Sequence, residues 1–65
     1  MKLQTVNEDA NYIIQMYVDF KWQTVAEEYS ISAATNLMTN IYLLTKGTLR
    51  VLSKRSNNML LSEIG

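Results

Sequence analysis

The sequence predicts a mostly α protein: a small helical domain of two to three helices, about 8/15–29, 33–46 and 48–55, forming a dimer. Three observations point there. The chain has no proline and only Gly47 and Gly65 as glycines, so little inside it breaks a helix. Apolar residues recur at three- and four-residue spacing over long stretches. The segment after Ser32 carries apolar side chains around most of a helical circumference, more than a chain of 65 residues can shelter alone.

The first helix is read over residues 8–29, with Thr5 or Asn7 as N-cap and Glu8 and Asp9 placed well for the helix dipole. Ile14, Val18, Trp22, Val25 and Tyr29 form its buried stripe. A second reading competes. Ala10, Tyr12 and Ile14 alternate with Asp9, Asn11 and Ile13, the period of a short N-terminal strand at 9–14, which leaves a helix at 15–29. The propensities of Glu8, Asp9, Ala10 and Asn11 favour the continuous helix. Ser30-Ile31-Ser32 reads as a turn, with Ser32 capping a helix over 33–46.

On that second helix Ala34, Leu37, Ile41 and Leu44 make one stripe, with Met38 beside it and Tyr42 and Leu43 outside it. Lys46 suits its C-terminus, and Gly47 can end it in a left-handed conformation. A third helix is expected over 48–55 with Leu49 and Leu52 inward. Ser56-Asn57-Asn58 is a turn candidate, and Met59, Leu60, Leu61 and Ile64 form an apolar tail.

Residues 1–65 make a single domain. A chain this short usually needs disulfides, a metal or a partner. Cysteine and histidine are both absent, so no disulfide, no zinc site and no cofactor is expected, and a second copy is the remaining staple. Trp22, Leu37, Met38, Ile41, Tyr42 and Leu44 are the expected dimer interface. The longest apolar run, Ile41 to Leu44, falls far short of the roughly 20 residues a membrane span needs. The first five residues lack the apolar core of a secretory signal, so a cytoplasmic location is expected.

Net charge is zero, but the halves differ. Residues 1–32 hold two cations against five carboxylates, net −3, and residues 33–65 hold four cations against one carboxylate, net +3. Lys46, Arg50, Lys54 and Arg55 therefore suggest a phosphate-binding edge; an ordinary solvated face is the plainer reading. Catalysis is not expected. Glu8-Asp9 and Glu27-Glu28 are adjacent pairs that diverge on a helix, no histidine activates the hydroxyl groups, and two isolated glycines make no phosphate loop.

Two DNA-reading motifs compare with the stretch around Ala26. A helix-turn-helix core would need apolar residues at Asn36 and Thr39, and burying those polar groups unpaired would cost on the order of 1–3 kcal/mol each. In contrast, Ala26, Ser32, Leu37 and Ile41, followed by Lys46-Gly47, match in spacing the alanine, N-cap serine, buried aliphatics and helix end of another family. Over residues 9–47 the chain resembles the ribbon–helix–helix (Arc/MetJ-like) repressor family. That resemblance implies a strand with Ala10, Tyr12 and Ile14 inward, Asn11 as a base reader, and phosphate held at the start of helix 33–46. The expected function is a small dimeric DNA-binding transcriptional regulator using Asn11, Lys46, Arg50, Lys54 and Arg55. The alternative is a helical protein–protein interaction module, an inhibitor or antirepressor, without nucleic-acid binding.

Overall fold

The computed structural model describes residues 11–65. Asp9 and Ala10 of the expected strand and the expected caps Thr5 and Asn7 lie outside the described residues. The elements run β1 (Tyr12–Val18), β2 (Lys21–Glu28), α1 (Ile31–Thr45), β3 (Leu49–Ser53) and β4 (Met59–Ile64), with a short 3-10 turn at Lys54–Ser56. The expectation of a mostly α, helical domain is overturned: this is a four-stranded antiparallel sheet carrying one helix.

Where the first helix was expected, the chain forms a hairpin. Tyr12, Ile13, Ile14, Tyr17, Val18, Trp22, Thr24 and Val25 are β-branched or aromatic, the types that fit a pleated surface. Their spacing satisfies a helical stripe as well, so the turn decides. Asp19 and Phe20 both hold positive φ, 53° and 68°, the left-handed pair whose twist matches two antiparallel strands. A phenylalanine there costs roughly 1–2 kcal/mol, because its Cβ crowds the following carbonyl. The short strand expected at 9–14 overlaps β1, whose described extent runs from Tyr12 on to Val18.

The strand order is β2-β1-β3-β4, and each neighbouring pair is antiparallel. Ile14 lies opposite Ala26 on one side and Val51 on the other. The β1–β3 pairing runs past both strand ends: the Lys54 amide donates to the Asn11 carbonyl at 2.8 Å, and the Tyr17 amide to the Thr48 carbonyl at 2.9 Å. Both edge strands carry a bulge. The β1–β2 register steps from Ile14–Ala26 to Gln15–Thr24, leaving Val25 extra. The β3–β4 register steps from Val51–Ser62 to Leu52–Leu60, leaving Leu61 extra.

The expected third helix at 48–55 is β3 and its turn. Leu49 and Val51 point to α1 and are fully buried, while Arg50 and Leu52 point the other way. Pairing with β1 and β4 satisfies its backbone, which outweighs the helical propensity of a five-residue segment. Asn57 and Asn58, both with positive φ, then turn the chain into β4, so the apolar tail is an edge strand.

The central helix starts at Ile31 and is capped by Ser30, whose hydroxyl accepts from the Ala33 amide at 3.1 Å. Ser30 leaves β2 in extended conformation and its carbonyl accepts from the Ala34 amide at 3.0 Å, so the helix begins before Ser32 can cap it. At the far end Lys46, not Gly47, takes the left-handed conformation, with φ 57° and its amide donating to the Tyr42 carbonyl. Gly47 instead leaves room: a Cβ there would stand 3.1 Å from the Met16 sulfur, and that side chain would have to shift.

Ile14, Ala34, Met38, Leu49 and Val51 form the core between α1 and one sheet face. Each larger aliphatic contributes about 1.5–3 kcal/mol by leaving water. Asn36 and Asn40 line the outer strip of α1, so the helix is not apolar all round. Among the described residues, no helix is long and apolar enough to cross a membrane.

Candidate functional site

One helix covers one side of the sheet, and among the described residues no element covers the other, which is defined by its own side chains. Alternation along β1 puts Ile13, Gln15 and Tyr17 on the uncovered side, opposite Ile14 and Met16. Cross-strand pairing adds Trp22, Thr24 and Glu27 from β2, Arg50 and Leu52 from β3, and Leu60 and Glu63 from β4.

The centre of this face is pre-ordered. The Arg50 guanidinium lies 3.9 Å from the centroid of the Trp22 ring, a cation–π stack. Its Nε donates to the Gln15 side-chain oxygen at 2.9 Å, and the Gln15 amide donates in turn to the Thr24 hydroxyl at 3.2 Å. Tyr17 meets Trp22 edge-on, with ring centroids 5.2 Å apart. Three strands thus hold one connected chain, Thr24–Gln15–Arg50–Trp22–Tyr17. Because Nε is engaged, the terminal fork of Arg50 is the part left to face a ligand.

Beside this centre the face becomes apolar. Leu52 lies between Ile13 and Leu60 in the register and is 5% exposed, whereas Leu60 is 49% exposed. The charges balance: Arg50 and Lys54 against Glu27 and Glu63, with Lys54 paired to Glu27 at 3.5 Å.

The sequence-predicted nucleic-acid residues do not gather into one cationic surface. Asn11, Lys54 and Arg55 share one end of the sheet, joined by the Lys54–Asn11 backbone bond. Arg50 sits mid-sheet on Trp22. Lys46 lies at the opposite end, at the C-terminus of α1 and 5.5 Å from the Tyr42 ring centroid. Lys46, Arg50, Lys54 and Arg55 thus stand apart on different elements and do not make the single phosphate-binding edge expected of them.

The six residues expected at a dimer interface also part company. Met38 is core at 2% exposure, and Leu37, Ile41 and Tyr42 pack partly against that core. Trp22 belongs to the uncovered sheet face, and Leu44 alone of the six is largely exposed, at 85%. Tyr17, Gln15 and Thr24 were missed. The signal that would have found them is the alternation from Ile13 to Tyr17 and from Trp22 to Thr24, read at period two.

Among the described residues no three acidic, histidine or cysteine side chains come together as metal ligands, and no buried side-chain polar atom lacks a partner. A recess of about 260 Å³ lined by Thr48, Glu63, Ile64 and Gly65 is open and brings only one ionisable side chain, Glu63, to its wall. These features define a strand-rich ββαββ domain in which, among the described residues, one sheet face is covered and the other is not. No family model, curated protein or solved structure matches the chain.

Proposed function

We propose that this protein is a cytoplasmic, non-enzymatic protein-interaction module whose working surface is the uncovered sheet face, with Trp22, Tyr17 and Arg50 at its centre. One observation carries the reading: an aromatic pair and an arginine are held in fixed geometry by cross-strand hydrogen bonds on a face that no other described element covers. Tryptophan, tyrosine and arginine are the side chains that dominate binding energy at protein interfaces, because each offers a large apolar body with a directional polar group. The Arg50 fork favours a partner that presents a carboxylate, and Ile13 and Leu60, on either side of the buried Leu52, favour an apolar side chain beside it.

Two other uses of such a sheet fit less well. Aromatic side chains on a sheet can stack bases, but single-stranded nucleic acid also needs a positive groove, and the charges on this face cancel. Strand addition at an edge needs a straight ladder, and both edge strands are bulged.

A random-peptide display selection against the full chain tests the proposal. Enriched peptides should pair an acidic residue with an apolar one at fixed spacing. They should change the fluorescence of Trp22, the only tryptophan, and lose binding to Trp22→Ala and Arg50→Gln. Binders indifferent to both substitutions, or quenching of Trp22 by a single-stranded oligonucleotide at low salt, would overturn it.

A further inference from the structure

At the hairpin tip Asp19 suits its left-handed conformation and Phe20 does not. Phe20 is the second residue of a two-residue left-handed turn, with φ 68°, and its side chain is 91% exposed. A bulky residue in that conformation is strained, and glycine or asparagine would fit the turn better. The ring packs on none of the described residues to any extent, so neither their folding nor the chemistry of the other sheet face accounts for it.

The same end of the molecule carries a complementary feature. The Thr45 hydroxyl reaches the Met16 sulfur at 3.8 Å, and the Thr48 carbonyl accepts from Tyr17, so the C-terminus of α1 is fastened beside the end of β1 from which the tip projects. Leu43 and Leu44, 58% and 85% exposed, stand on that last helical turn. Asp19 adjoins Phe20, and Lys46 follows Leu44 by two residues. Neither Asp19 nor Lys46 forms an ion pair within the described residues.

We infer that this end is a self-association surface: Phe20 of one protomer seats on Leu43 and Leu44 of a second copy, with Asp19 facing the partner's Lys46. A two-fold contact requires knob and seat at one end of one chain with opposite charges beside them, and this end carries both. The occupant is a second copy because the charged groups flanking the apolar pieces complement each other. A chain of this size also gains what a single core supplies sparingly. The contact uses Phe20, Leu43 and Leu44, none of them among the residues of the proposed binding face, so different substitutions test the two.

Sedimentation of the full chain over a concentration series tests it. The wild type should form a dimer that stops at two. Phe20→Gly should weaken it at least about 30-fold, the loss of a binding hot spot, while circular dichroism at concentrations where both proteins are monomeric shows a melting temperature unchanged or raised, since glycine accepts φ 68° without strain. Asp19→Lys should weaken the dimer, and adding Lys46→Asp should restore it; Asp tolerates the left-handed position of Lys46. A wild type that stays monomeric at several hundred micromolar overturns the inference. So does a dimer indifferent to Phe20→Gly, or a double charge exchange that recovers nothing.

Discussion

The two faces of this sheet are held by different physics. Under α1, Ile14, Leu49 and Val51 are fully buried and interchangeable in kind: apolar volume excluded from water. On the other side, Arg50, Gln15, Thr24, Trp22 and Tyr17 are joined by directional contacts of 2.9 to 5.2 Å, at the edge of solvent. The first face secures the fold with little information about partners. The second contributes less to stability yet specifies a geometry, and geometry is what recognition uses.

The largest expected effect is on the covered side. Ile14→Ala should cost about 2–5 kcal/mol, read as a lowered urea midpoint, because it opens a cavity where three strands meet. Trp22→Ala should cost less, about 1–2 kcal/mol from the lost Arg50 stack and Tyr17 edge contact, while abolishing peptide binding. The ratio of these two losses breaks or supports the contrast: a Trp22→Ala as damaging to folding as Ile14→Ala would make the second face a core. Ser30→Ala should cost about 1 kcal/mol through the Ala33 amide it leaves uncapped, a control that touches neither face. Smallest is Glu27→Gln. The Lys54 pair is half in water, so a change under about 0.5 kcal/mol, vanishing in high salt, is the expected outcome.

Part of this was legible from residue order. The α1 helix was visible because Ala34, Met38, Leu37 and Ile41 repeat at helical spacing beside a serine cap, and a lysine marks its end. The hairpin was not. Ile14, Val18, Trp22 and Val25 satisfy a helical stripe while their neighbours satisfy alternation, and Asp19-Phe20 lacks the glycine or asparagine pair that announces such a turn. The segment Leu49–Ser53 is too short for periodicity to choose between helix and strand. Trp22 and Arg50 were both singled out, for separate reasons. Their partnership depends on Gln15 lying between them, a long-range register that no local pattern encodes.

Val25 and Leu61, the extra residues of the two outer strands, reach beyond local geometry. A kink at each margin denies incoming backbone a continuous row of donors and acceptors, so the sheet cannot serve as a template for its own copies. Crowding such molecules should therefore yield finite particles, never fibrils, even with leucines and a phenylalanine facing water.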